Sequence, residues 1–193
     1  MSRPVRTLEQ AEAYLDGLIN RERREQPRSR VSLAPIRALL AALSHPEADL
    51  RILHVAGSKG KGSTALAAEA LLARCGSRVG VFTSPHLERW TERFRVEGRE
   101  VPGDELAAAV ERLRPHVDAL RERSSEEVPS FFDATTAAAL LLFRDRRVEH
   151  VILEVGLGGR LDSTNAVHPA VTCITSIELE HTDKLGEIGR AHV

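Results

Sequence analysis

Apolar residues recur at helical spacing twice near the start of the chain. Leu8, Ala11, Leu15, Leu18 and Ile19 predict an amphipathic helix over 7–24, and a second stripe predicts another over 33–43, ending before Ser44-His45-Pro46. The pattern then changes to short unbroken apolar runs. Ile52 to Val55 predicts a buried strand, 64–74 a helix stopped at Gly76, and 78–83 a second strand rich in β-branched and aromatic residues. A polar, loop-rich stretch over 84–103 follows. Helices are then expected over 104–123, with Asp104 as N-cap and Pro115 kinking or ending it, and over roughly 133–146. The runs 148–155 and 171–177 read as buried strands. Strands joined by helical crossovers predict an α/β fold: a three-layer, Rossmann-like, mostly parallel sheet with helices on both faces.

The chain has 193 residues, 42% of them hydrophobic, and a net charge of −1, which fits one globular domain with a sizeable core. That balance offers no surface for nucleic acid or a membrane. The basic run Arg21, Arg23, Arg24, Arg28 and Arg30 is interleaved with Glu22 and Glu25 and reads as a solvated helix end. Cys75 and Cys173 have neither metal nor redox spacing and are expected as core residues in a reducing cytoplasm. The first residues lack the apolar core of a signal peptide, and the longest apolar run, 137–143, is too short to cross a bilayer. A cytoplasmic location is the expectation.

Candidate chemistry starts in the stretch VAGSKGKGST, residues 55–64. The sequence contains three lysines, and two of them, Lys59 and Lys61, stand in this loop; apart from Lys184, every other Lys or Arg position is arginine. Such a choice favours a compact ammonium on a flexible stem. A glycine-rich turn between a buried strand and a helix gathers backbone N–H groups around one point, which makes a phosphate cradle. Gly57, Gly60 and Gly62 would permit positive φ and close approach, with Ser58 and Lys59 between them; Lys61 would reach the phosphates, and Ser63 or Thr64 would touch phosphate or metal. The spacing is not the usual Walker pattern, because Val55 stands where the first glycine would be and Gly62 follows the lysine. Alone it indicates a nucleotide phosphate and no particular reaction.

Three further features gain meaning beside that loop. Glu154 closes the apolar run Val151-Ile152-Leu153 and suits Mg²⁺ binding next to a phosphate. Ser84, at the carboxyl end of the second predicted strand, could offer an oxygen to the same ion, although a Ser-Pro turn explains it equally. The glycine-rich run Leu157 to Asp162 offers Arg160 and Asp162, and His181 follows the last predicted strand.

Taken together, HVAGSKGKGST, TSPHLERWTERFRVEG, FFDATTAAAL and ILEVGLGGRLDSTN resemble the folylpolyglutamate synthase and dihydrofolate synthase branch of the Mur ligase superfamily, over about 31–186. The resemblance implies an ADP-forming ligase: ATP phosphorylates a folate-type carboxylate, and the amino group of L-glutamate attacks the acyl phosphate. It implies ATP and Mg²⁺ as cofactors, a Mur-ligase-type central ATPase domain over 1–187, and a monomer when full length. By matching position, Gly60, Lys61, Gly62 and Ser63 bind the phosphates and Ser84, Glu154 and His181 hold Mg²⁺; Lys61, Glu154 and His181 carry the chemistry. Arg30, Val31, Ser32 and Leu33, then Phe132 and Asp133 beside Ser130, and Arg160, Leu161, Asp162 and Ser163 match positions lining the pteroate pocket.

The chain departs from the family in places. Lys59 stands where Asn is usual, Ser32 where Gly is common, and Glu178-Leu179-Glu180-His181 where Gly-Leu-Asp-His is common. It also stops before the family's carboxylated lysine and C-terminal domain, so it is expected to be an N-terminal piece inactive by itself. Residues 188–193, which a common DNA-adapter sequence can encode, are expected to be a non-native tail. Two other readings remain open at this level: a phosphate-loop switch or motor module, and a related ligase acting on a cell-wall precursor.

Overall fold

The computed structural model describes residues 4–19, 32–123 and 127–178. In chain order the elements are α1 (Leu8–Asp16), α2 (Ala34–Ala42), β1 (Arg51–Ala56), α3 (Lys61–Arg74), β2 (Val79–Phe82), β3 (Phe94–Val96), β4 (Arg99–Glu100), α4 (Gly103–Arg123), α5 (Phe131–Asp145), β5 (His150–Glu154) and β6 (Val171–Ile174). Short 3-10 turns lie at Trp90–Arg93 and Ser163–Ala166. The chain divides into two compact units, one formed by Met1–Asp49 and Val101–Asp145, the other by Leu50–Glu100 and Arg146–Val193.

The first unit is helical and contains α1, α2, α4 and α5. Thr7 caps α1, its Oγ1 accepting from Gln10 N at 3.3 Å, and Gly17 closes it, so α1 is shorter than the 7–24 stripe predicts. Residues 20–24 of that stripe lie outside the described residues. Tyr14 of α1 donates to Asp118 of α4 at 3.1 Å. α4 begins with the carbonyl of Pro102 accepting from Glu105 N and Leu106 N. Asp104 therefore sits in the first turn, where its charge meets the helix dipole, and not at the cap. Nor does α4 end at Pro115. The buried stripe Leu106, Val110, Leu113, Val117 and Leu120 continues on both sides of it, and that packing offsets the lost backbone bond and ring crowding of an interior proline, together about 3 kcal/mol. α5 opens on a capping box: Ser130 N donates to Asp133 Oδ2 at 2.8 Å and Asp133 N donates to Ser130 Oγ at 3.2 Å, while Ser130 Oγ itself donates to Asp133 Oδ2 at 2.6 Å. Every residue of α5 from Asp133 to Phe143 is buried.

The second unit is a six-stranded sheet in the order β4-β3-β2-β5-β1-β6. β2, β5, β1 and β6 are parallel, as the four predicted strands require, and β5 lies between β1 and β2. α3 packs on these central strands through a core of Val55, Ala65, Val79, Val81 and Ile152. The stretch expected as loop over 84–103 instead contributes an antiparallel pair, β3 and β4, added to β2. Glu97 and Gly98, with φ of 52° and 78°, make the two-residue turn between them. Two left-handed residues match the strand twist, but Glu is a weak predictor of that conformation, which is why the hairpin is hard to see in the sequence. Cys75, expected in the core, is exposed behind α3, while Cys173 is half-buried against the core. Among the described residues, no helix is long and apolar enough to cross a membrane.

Candidate functional site

The register of the sheet assembles the site. Val55 of β1 stands beside Glu154 of β5, so the carboxylate lies next to the point where β1 gives way to the glycine-rich loop. Phe82 of β2 pairs with Leu153 on the other side, which brings Ser84 to the same carboxyl edge. Ser84 N donates to Glu154 Oε2 at 3.1 Å.

The loop is stitched to the segment leaving β6. Thr175 N donates to Ala56 O at 2.9 Å, Ser58 N to Ser176 O at 2.7 Å, and Ser58 Oγ accepts from Glu178 N at 2.9 Å. Gly57 has φ of +133°, and a Cβ there would fall 2.0 Å from Thr175 Oγ1, so glycine is required for both conformation and space. Gly60, at φ +83°, has open space around it and needs only its conformation. Gly62 differs from expectation: it takes ordinary helical φ inside α3, with Glu154 in van der Waals reach of its position. α3 thus begins at Lys61, three residues earlier than predicted. Its first backbone bond is Thr64 N to Gly60 O at 2.9 Å, preceded by the amides of Lys61, Gly62 and Ser63 in the first turn. Ser63 is exposed there and Thr64 half-buried.

Lys61 Nζ donates to Gly57 O at 2.8 Å and to Ser58 O at 3.1 Å, so its ammonium is held across its own loop by carbonyl dipoles. Glu154 is buried, and that desolvation pushes its pKa up; the amide of Ser84, the Lys61 ammonium and the amide of Gly62 pull the other way. Lys61, Gly62, Ser84 and Glu154 therefore lie together at the carboxyl edge of the sheet. His181 lies outside the described residues. No three His, Cys, Asp or Glu cluster as a metal cage among the described residues. The donors present are hard oxygens beside a phosphate loop, and they suit Mg²⁺, which takes one or two carboxylates and completes its shell with phosphate and water.

Asp162 is also buried and is turned toward its own loop. Its Oδ2 accepts from Gly156 N at 3.1 Å and Leu157 N at 2.9 Å, and its Oδ1 from Thr164 N at 3.0 Å and Thr164 Oγ1 at 2.5 Å. With its proton directed to Asp162, Thr164 Oγ1 accepts from His54 Nε2 at 2.8 Å. Burial lowers the pKa of His54, so a neutral ring with the proton on Nε2 fits the chain of bonds. Sequence reasoning missed His54 and Thr164; a histidine inside the apolar run Ile52 to Ala56 was the available signal. Arg160 and Leu161 are exposed at the turn, and Ser163 is buried below it.

The remaining pocket candidates belong to the helical unit. Ser32 is exposed, its Oγ accepting from Ala34 N at 3.3 Å; Leu33 and Phe132 are half-buried, and Asp133 is engaged in the cap of α5. Arg30 and Val31 lie outside the described residues, as do Glu180 and the tail 188–193.

The Asp162 cluster gives a pH dependence. Burial is the largest influence on this carboxyl and raises its pKa from 3.8 to about 6, against the amides and hydroxyl that lower it. The folded chain then holds this proton more tightly than the unfolded chain does. Its contribution is fully present below about pH 4 and is lost as pH rises to about 6, by up to about 3 kcal/mol. Denaturant midpoints measured across that window should fall with pH in the unaltered chain and stay level in Asp162→Asn. An equal fall in both would rule this origin out.

No family model matches the chain. It is 43% identical over 155 residues to the dihydrofolate synthase/folylpolyglutamate synthase of Bacillus subtilis, which covers 80% of this chain and 36% of that protein. It is 44% identical over 136 residues to the Escherichia coli protein of the same description, covering 70% of this chain and 30% of that one. Among solved structures, E. coli FolC in complex with DHPP and ADP superposes with a TM-score of 0.80 at 35% identity, over 96% of this chain and 42% of that one. A bifunctional folylpolyglutamate synthase/dihydrofolate synthase with Mn, AMPPNP and L-glutamate bound gives 0.80 at 36% identity, over 97% and 42%. The chain spans about a third of the length of these curated relatives.

Proposed function

We propose that this chain, a homologue of part of the folylpolyglutamate and dihydrofolate synthases, is the ATP-binding part of a longer cytoplasmic ligase, monomeric when whole, that joins L-glutamate to a folate-type carboxylate with release of ADP. The observation that carries this reading is the convergence of Lys61, the first-turn amides of α3, Ser84 and Glu154 at one edge of the sheet. A free carboxylate is a poor acyl donor because its charge repels a nucleophile and its oxygen leaves badly. Transfer of phosphate to it removes both obstacles. Such a transfer needs little covalent participation from the protein, so positioning and charge neutralisation carry the catalysis.

Each residue has a part in that scheme. The amides of the glycine loop orient the phosphates, and Lys61, already suspended over the loop, supplies a fixed positive charge. Glu154 and Ser84, with His181, would hold Mg²⁺, which when bound supplies neutralisation of the charge that develops on the transferring phosphoryl group. Glu154 stays buried and ionisable, and its neighbours Ser84 N and Lys61 keep the carboxylate aimed.

Glu154→Gln tests the metal assignment, because it keeps shape and removes the anionic ligand. The Mg²⁺ concentration needed for half-maximal binding of an ATP analogue should rise at least about tenfold. An unchanged Mg²⁺ titration would move the ion to other residues. For the substrate, binding of dihydropteroate, tetrahydrofolate and a UDP-sugar peptide to the full-length ligase separates the folate reading from a cell-wall one.

A further inference from the structure

Two departures from the family pattern, Lys59 in the loop and Glu178 after β6, meet in space. Lys59 Nζ lies 2.5 Å from Glu178 Oε2. Their backbones are fixed to each other: Ser58 Oγ donates to Glu178 O at 3.1 Å and accepts from Glu178 N at 2.9 Å, and Lys59 forms an antiparallel bridge with Ser176. The two side chains, in contrast, are 72% and 47% exposed. The segments are held together without the ion pair, and the pair itself can open.

The loop therefore carries two ammonium groups in different electrostatic states. Lys61 is hydrogen-bonded to neutral carbonyls, with the Glu154 carboxylate near enough to feel its charge, whereas Lys59 is in direct contact with a carboxylate. We propose that Lys59 and Glu178 form a charge-exchange pair: Glu178 holds the Lys59 ammonium when no nucleotide is bound and yields it to the phosphate chain when one binds. Exposed ion pairs are weakly held, and a polyphosphate presents more negative charge than one carboxylate, so the exchange runs toward the ligand. The flexible four-carbon stem of lysine lets the charge move while the loop stays in place. Glu178 then acts as a positioning residue that lowers affinity for polyphosphate and makes that affinity depend on the number of phosphates. This inference rests on the nucleotide-binding reading above.

Calorimetric titration of the 193-residue chain with ATP, ADP and adenosine tests it, using Glu178→Gln, Lys59→Gln, the double variant and Lys61→Ala. Glu178→Gln should bind ATP about fivefold more tightly and ADP less so, with adenosine unchanged, and the gain should shrink as salt is raised. Lys59→Gln should weaken ATP binding by about the same factor, and most of the gain from Glu178→Gln should vanish in the double variant. If Glu178→Gln binds ATP equally or more weakly while Lys61→Ala weakens binding on the order of a hundredfold, the pair is only a fastener and the proposal falls alone. If Lys61→Ala binds ATP as the unaltered chain does, the phosphate-loop reading falls and the proposal with it.

Discussion

Lys61→Ala is expected to weaken ATP binding on the order of a hundredfold and to leave the fold intact. A unit charge about 4 Å from a phosphate oxygen near the protein surface is worth roughly 4 kcal/mol of gross attraction, and part of it is recovered by water in the variant. About 3 kcal/mol net corresponds to two decades in the dissociation constant. Lys61 starts α3, and what the variant loses within the chain is two bonds, to the carbonyls of Gly57 and Ser58. Binding of a fluorescent ATP analogue and the thermal midpoint should therefore respond very differently. A variant that binds ATP within threefold of the original would remove the phosphate role from this lysine.

Gly57→Ala is expected to destabilise the chain by about 3–4 kcal/mol, which is a large share of the stability of an ordinary domain. A residue with a side chain at φ +133° carries strain of about 1–3 kcal/mol. The new methyl would also overlap Thr175 Oγ1, which bonds Ala56 O at 3.2 Å, and loss of that bond adds about 1 kcal/mol. Gly60→Ala provides the contrast, because no atom lies within 4 Å of its missing Cβ and only the left-handed φ is penalised, at about 1 kcal/mol. Urea unfolding of the two variants distinguishes them. Equal losses would show that contact with Thr175 does not make Gly57 obligatory.

The relation between Gly57 and Thr175 illustrates where sequence reading stops. The glycines between a short apolar run and a helix announce a phosphate loop, since a turn of that kind has few other uses for left-handed residues and a lysine in succession. That Gly57 needs space as well as conformation depends on a threonine more than a hundred residues away in the chain, which no local pattern contains. Glu154 is a similar case: a strand-end carboxylate is ordinary by itself, and it gains meaning when β5 inserts between β1 and β2 and sets it opposite Val55. Asp162 and Asp133 were read through the resemblance as pocket residues. In the fold one carboxylate is occupied by Gly156, Leu157 and Thr164, and the other by Ser130. The substitutions at Lys59 and Glu178, unremarkable as separate departures, form one ion pair once the segment after β6 lies along the loop.

The sequence by itself determined the alternation of strand and helix, the four parallel strands, the phosphate loop and the chemical identity of its lysine, because hydrophobic period and backbone conformation are local properties that each segment carries with it. Only the tertiary structure decided strand order, the β3–β4 hairpin, the continuity of α4 through Pro115 and which polar groups are satisfied by which partners. Those outcomes depend on packing and hydrogen bonding between segments far apart in the chain, and the free energy that selects them exists only when the segments meet.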